Sequence, residues 1–302
     1  MEDLKPMIFR RKLTDIAFGV LGALSIVIAL LVLAILIFDL ARSGVPRLSW
    51  DFFISFPSRF ANKAGILSAW VGSCLIMLVT TACALPLGVA AGVYLEEYSR
   101  KTRLSAIIEI NIANLSGVPS IIWGLMALGI FIHQLHFKPS IFVAGLTLGL
   151  LVLPIVIIAT RESIRAIPQS IREASYACGA TRWQTTWYHV IPYSMSGILT
   201  GSIIALSRAI GETAPLITIG ALSYIAYLPD SPFQRSFPFI SFEWAKSGYT
   251  ALPIQMFNWV SRPDRRFQAN AAAAGIVLIL LTVSMNAVAI FLRYKLRKRI
   301  SW

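Results

Sequence analysis

The sequence predicts an all-α membrane protein with six spanning helices, and three observations carry that prediction. Hydrophobic residues make up 57% of the 302 and charged residues only 14%, against roughly 45–50% and about 25% in soluble proteins. Mean hydropathy is +0.71. The remaining charges fall between long uncharged runs, and ~30 Å of hydrocarbon is crossed by about 20 helical residues.

The runs, in order, are residues 16–38 (23 residues, between Asp15 and Asp39), 64–95 (32), 110–137 (28), 139–160 (22) and 267–292 (26). The stretch 194–228 is also long enough but carries Arg208 and Glu212. None shows the polar face that a surface helix of a soluble protein needs. The first run follows Arg10-Arg11-Lys12. It exceeds the roughly 7–15 residues of the apolar core of a secretory signal and is followed by five further spans, so it reads as an uncleaved first helix. Within the third run, Ser116-Gly117-Val118-Pro119-Ser120 should interrupt or kink the helix, because proline clashes with the preceding turn.

A net charge of +13 would suggest nucleic acid in a soluble chain. Here the basic residues flank apolar runs, so no nucleic-acid partner is expected. Cys74, Cys83 and Cys178 have neither CxxC nor Cys/His ligand spacing, so no metal site or disulfide framework is expected. His133 and His136 lack a third ligand and read as interfacial side chains. Sixteen lysines and arginines fall on the side of the amino terminus and ten on the other, with Arg208 apart. The positive-inside rule then places both termini in the cytoplasm. Two outer segments, 39–63 and 229–266, are rich in aromatics, among them Trp50, Phe52, Phe233, Phe237, Phe239, Phe242, Trp244, Tyr249, Phe257 and Trp259. They read either as a headgroup-level aromatic belt or as a docking surface for an external partner.

The cytoplasmic segment 161–192 parses as helix, break, helix. Pro168 suits a first helical turn, and Gly179 suits the left-handed position after a helix end. Thr181 to Gln184 fits a capping box opening a second helix. A plain amphipathic connector would have the same pattern.

Glu173-Ala174-Ser175, then Gly179 after three residues, then Ile191-Pro192, together resemble the EAA motif of ABC importer permeases. Ser175 and His189 stand where the family has alanine and isoleucine. The segments 114–120, 207–215 and 251–259 look like those of phosphate permeases, the last resembling the PstA type rather than the PstC type. The similarity covers about residues 64–293. It implies the type I, MetI-like importer fold over that range, preceded by a first span and outer loop in 1–63 and followed by a basic cytoplasmic tail, 294–302. It also implies that Glu173, Ala174, Gly179 and Ala180 couple to an ATPase. The implied partners are a homologous PstC-type permease, two PstB-type ATPase copies and an extracytoplasmic PstS-type phosphate-binding protein, in a bacterial or archaeal plasma membrane. The chain has no GxxxxGK[ST] sequence, so ATP and Mg are expected on the partner ATPase, and no cofactor or catalytic activity is expected here.

Arg208 and Glu212 stand out on physical grounds independent of the family. A charge at mid-bilayer costs about 2.5–3.5 kcal/mol even on the lenient insertion scale, so such residues face protein or water. Their i,i+4 spacing is expected to put both on one helix face. They form either a self-neutralising structural pair or an anion site in which Glu212 gives Arg208 up to phosphate in transit. Thr213 offers a hydroxyl either to the same anion or to a backbone carbonyl near Pro215. Each negative charge entering against an inside-negative potential costs ~2.3 kcal/mol per 100 mV, so uptake needs an external energy source. Permeases for sulfate, molybdate or phosphonate, and a non-transporting scaffold or sensor, are the alternatives. No HExxH or nucleophile constellation suggests a membrane enzyme.

Overall fold

The computed structural model describes residues 4–100, 102–231 and 241–297, and no strand occurs among them. Helix α1 (Leu4–Gly44) leads through a 3-10 turn at Val45–Arg47 into the short α2 (Trp50–Ile54). Helix α3 (Leu67–Val93) is prolonged by a π-helical turn at Tyr94–Tyr98. Then come α4 (Arg103–Leu115) and α5 (Ser120–Ala127), the latter extended as π-helix over Leu128–Gln134. Helices α6 (Ile141–Arg165), α7 (Gln169–Ala177) and α8 (Arg182–Thr185) follow, and a π-turn at Thr186–Val190 joins α8 to α9 (Ile191–Ile210). The order closes with α10 (Ala214–Thr218), α11 (Leu252–Val260) and α12 (Arg266–Arg297).

Among the described residues, five helical stretches are long and apolar enough to cross a membrane: Phe9–Arg47, Leu67–Tyr98, Ile141–Arg165, Arg182–Ile210 and Arg266–Lys295. A sixth forms only if α4 and the extended α5 are taken together, and these are bent by 108°. The expected third span is therefore broken rather than gently kinked. Pro119 caps α5 at φ −54°, ψ 136°, and a proline disfavours helical backbone in the residue before it. The expected fifth span, 194–228, is also corrected. The continuous helical stretch begins at Arg182 and stops at Ile210. A capping box at Thr181 starts it, and Pro192 is tolerated because it occupies the first turn of α9, next to a π-turn. Gly211 and Pro215 end it.

Helices α3, α6 and α9 build the centre. Their backbones approach closely where side chains are small, the packing that replaces hydrophobic drive between membrane helices. A Cβ on Gly88 would sit 2.7 Å from Val156 Cγ1, and one on Gly92 would sit 2.6 Å from Thr160 Cβ. Thr80 Oγ1 adds an interhelical hydrogen bond to the Gly145 carbonyl at 3.1 Å. By contrast, no residue in the apolar window of α1 is buried, and this helix leans on α12.

The outer aromatics divide in a way neither expectation anticipated. Phe52, Trp244, Tyr249 and Trp259 are buried; Trp244 and Tyr249 join the central core, whereas Phe52 and Trp259, ring centroids 6.0 Å apart, form a second cluster with Ala61, Ala64 and Phe267. Trp50, Phe242 and Phe257 are exposed. Phe233, Phe237 and Phe239 lie outside the described residues. Arg47 fastens this second cluster. Its Nε donates to Asn270 Oδ1 at 2.7 Å, and its Nη2 donates to the carbonyls of Ala61, Asn62 and Ala64 at 3.2, 3.0 and 2.9 Å. The guanidinium also lies 5.1 Å from the Phe52 ring centroid.

Candidate functional site

Two groups of sequence-predicted residues occupy different parts of the fold. The first is the segment between α6 and α9. Helix α7 presents Glu173 and Ala174 outward, and Gly179 is also exposed, while Ala180 is half-buried. Gly179 has φ +84°, a left-handed conformation that only glycine adopts at little cost. Both halves of the capping box form: the Thr181 N–H donates to Gln184 Oε1 at 2.8 Å, and the Gln184 N–H donates to Thr181 Oγ1 at 3.3 Å.

The opposite face of α7 is anchored by residues that sequence reasoning passed over. Arg172 donates through Nη2 and Nε to Glu97 Oε1 at 2.7 and 3.0 Å. It also donates to the Ile167 and Ile164 carbonyls at 2.9 and 3.1 Å. Both side chains are largely buried, 11% and 6% exposed, and a buried ion pair is stable only when its remaining donors are satisfied in this way. Ser175, the departure from the EAA pattern, shares a 2.9 Å hydrogen bond with Thr185 Oγ1. The departure therefore ties α7 to α8.

Next to this anchor lies a charged network. Arg161, 9% exposed, contacts Glu109 Oε1 at 2.6 Å and Glu96 Oε2 at 3.4 Å. Arg165 contacts Glu96 at 3.0 Å and Glu162 at 3.1 Å. Glu109 belongs to α4, so this network also ties the bent helix to α6. A readable signal existed. Glu96 and Glu97 are the only charges between Lys63 and Arg100, and they end one apolar run as Arg161 and Arg165 end another.

The second group lies at the other end of α9. Arg208 occupies the last turn of that helix, whereas Glu212 lies beyond its end at Ile210. The expected shared helix face is thus replaced by a carboxylate reaching back from the turn. The two still meet, Arg208 Nε to Glu212 Oε1 at 3.6 Å, with side chains 47% and 17% exposed. Arg208 makes no hydrogen bond among the described residues, so its two Nη groups are open. Its neighbours are held: Ala209 is fully buried, and Ser207 Oγ lies 2.7 Å from Asn286 Oδ1 on α12. Thr213 precedes α10, and its hydroxyl caps nothing there. Thr218, not Thr213, donates to the Pro215 carbonyl, at 2.8 Å.

Comparison with known proteins follows the same lines. The profile described as "Binding-protein-dependent transport system inner membrane component" matches residues 84–302. The phosphate transport system permease protein PstA of Haemophilus influenzae is 34% identical, over 76% of this chain and 81% of its own length. PstA 1 of Mycobacterium tuberculosis (strain CDC 1551 / Oshkosh) is 29% identical over 98% and 93%. The probable ABC transporter permease protein YqgI of Bacillus subtilis is 30% identical over 92% and 95%. Among solved structures, an inward-facing MetNI methionine ABC transporter chain superposes with a TM-score of 0.53 at 14% identity, covering 78% of this chain and 96% of that one. This likeness concerns the fold alone. With its apolar helices, exposed α7 segment and a family match spanning most of its length, the chain belongs to the inner membrane components of binding-protein-dependent ABC transport systems.

Proposed function

We propose that this chain is a permease subunit of an ATP-driven importer for inorganic phosphate. It would form half of the translocation pathway beside a PstC-type permease. Two PstB-type ATPases carrying ATP and Mg would dock on the α7 segment, and a PstS-type binding protein would deliver phosphate from outside. Both termini face the cytoplasm in this reading, as the lysine and arginine distribution favours.

The observation that carries the reading is the state of Arg208. A guanidinium presents a planar fork of donors matched to phosphate oxygens and stays charged at any physiological pH. Here one edge of that fork contacts Glu212 at 3.6 Å, and the side chain is about half exposed. Glu212 is close enough to neutralise Arg208 in an empty path but too loosely engaged to occupy its donors. Phosphate arriving there replaces a weak pairing with a stronger, bidentate one. Thr213, with an uncommitted hydroxyl, supports the same site. Glu173, Ala174, Gly179 and Ala180 form the surface that follows the ATPase, and the Arg172–Glu97 pair transmits that motion to α3.

Labelled phosphate uptake at low external phosphate, in cells lacking this chain, tests the reading. Wild type restores uptake that excess sulfate does not inhibit, and Arg208→Gln assembles but restores none. Uptake by Arg208→Gln at the wild-type rate would remove Arg208 from the path. Inhibition by sulfate would move the assignment to another oxyanion.

A further inference from the structure

An apolar groove of about 710 Å³ runs between α3 and the α8–α9 stretch, from Leu85 and Ser202 at its deep end to Tyr98 and Trp183 at its mouth. Arg208 does not line it. From Leu85 to Tyr98 the chain rises about 20 Å at 1.5 Å per residue. That covers one leaflet, whose hydrocarbon is ~15 Å deep, together with part of the headgroup zone. A partner's transmembrane helix would need a groove crossing both leaflets, so the length of this one fits an acyl chain.

The mouth has the chemistry of a lipid–water boundary. Trp183 and Trp187 stack at 5.6 Å with their planes 13° apart, and both remain more than half exposed. Amphipathic aromatic rings favour the headgroup level. Tyr98 OH meets Thr186 Oγ1 at 3.4 Å at this mouth, and Ser99 and Arg182, the chain neighbours of Tyr98 and Trp183, line a polar cleft of about 820 Å³. Four arginines line that cleft: Arg100, Arg165, Arg172 and Arg182. Arg165 and Arg172 are occupied by Glu96 and Glu97. Arg100 and Arg182 are exposed and form no ion pair among the described residues. Basic pockets beside apolar helix surfaces on the cytoplasmic side attract anionic headgroups.

We propose that this groove holds an anionic phospholipid of the cytoplasmic leaflet, its acyl chain between α3 and α9 and its phosphate on Arg100 and Arg182. The leaflet assignment rests on the orientation proposed above. Tyr176 of α7 lines the same cleft, so the headgroup lies against the coupling segment and steadies it.

The test uses the assembled importer in vesicles of phosphatidylcholine mixed with phosphatidylglycerol, followed by extraction and native mass spectrometry of the retained lipid. Wild type retains phosphatidylglycerol in preference to phosphatidylcholine. Arg100→Gln with Arg182→Gln lowers that preference about thirtyfold, since each juxtamembrane cation contributes a factor of roughly five to six. Ala90→Phe, which fills the groove from an exposed position, expels both lipids. A free anion bound at the arginines would survive that second substitution, which separates it from a lipid headgroup. Wild type without a preference, or phosphatidylglycerol retained at wild-type level by either variant, would overturn the proposal. Loss of the partner permease from Ala90→Phe would also overturn it, making the groove a subunit contact. The readout involves no transport and is independent of the phosphate reading.

Discussion

Replacing Glu97 by glutamine removes one charge from beneath α7 and leaves its size unchanged. Arg172 then stays cationic, 11% exposed, with two backbone carbonyls and no counter-charge. Removing one partner of a buried pair costs about 3–5 kcal/mol. The two carbonyls and the residual amide oxygen of glutamine place this case at the lower end, about 3 kcal/mol, and each 1.4 kcal/mol is tenfold in an equilibrium constant. The population in which α7 is detached from α3 should therefore rise roughly a hundredfold. In purified assembled importer, substrate-stimulated ATPase and uptake should fall together while basal ATPase persists, and α7 amides should exchange faster with deuterium. Glu243→Gln supplies the control. Its pair with Lys246 is exposed, 62% and 76%, where such pairs contribute at most about 1 kcal/mol. Glu97→Leu combined with Arg172→Met should recover stability, because an apolar pair of similar volume tolerates burial better than an orphaned charge. Wild-type exchange rates and coupling in Glu97→Gln would refute the view that this pair anchors the segment.

Three other substitutions probe separate parts of the fold. Gly88→Ala places a Cβ 2.7 Å from Val156 Cγ1, so thermal unfolding in detergent should show about 1–3 kcal/mol of overpacking cost. Gly179→Ala forces φ +84° on an L-residue at about 1–2 kcal/mol, and coupled transport should drop with little change in assembly. Arg47→Ala removes four hydrogen bonds from the cluster around Phe52 and Trp259. Charge-assisted bonds contribute about 1.5–3 kcal/mol, so limited proteolysis should cut near residues 61–64 earlier than in wild type.

The spans were legible in the sequence because hydropathy is a local property. An uncharged run of 32 residues between Lys63 and Glu96 has few alternatives to a membrane helix. The capping box at Thr181 and the turn at Gly179 were legible for the same reason, since each is set within four residues. What failed was any inference needing the exact end of a helix. The i,i+4 spacing of Arg208 and Glu212 implied a common face, but Gly211 ends the helix first, and only the reach of the glutamate side chain restores the contact. The 108° break at Pro119 was visible as a proline, but its size depends on where α5 packs. Gly124 admits α10 so closely that a Cβ there would meet Pro215 Cα at 2.6 Å, and this holds α5 to a direction of its own.

The charge pairs explain why counting arginines says so little about what each one does. In the positive-inside count, Arg161, Arg165 and Arg172 are interchangeable cations. In the fold they are three different objects. Arg161 joins α6 to the bent α4 through Glu109, Arg165 closes on Glu96, and Arg172 suspends α7 from Glu97. All three arise on the stretch from α6 to α7, and their acids come from α3 and α4. A displacement of α7 by a partner ATPase therefore pulls on the end of α3 through Arg172 and Glu97, while Arg161 and Arg165 brace α6 against α3 and α4. The same segment carries Ser175 and the capping box, so it joins α8 rigidly as well, and α8 continues without interruption to Arg208. Movement at Glu173 thus has a continuous helical route of 29 residues, Arg182–Ile210, to the open guanidinium. In the proposed reading, that route gives an ATPase mechanical access from α7 to the anion site assigned to Arg208. It also requires that Glu97→Gln and Arg208→Gln fail differently: the first uncouples ATP hydrolysis from transport, and the second leaves coupling intact with nothing to carry.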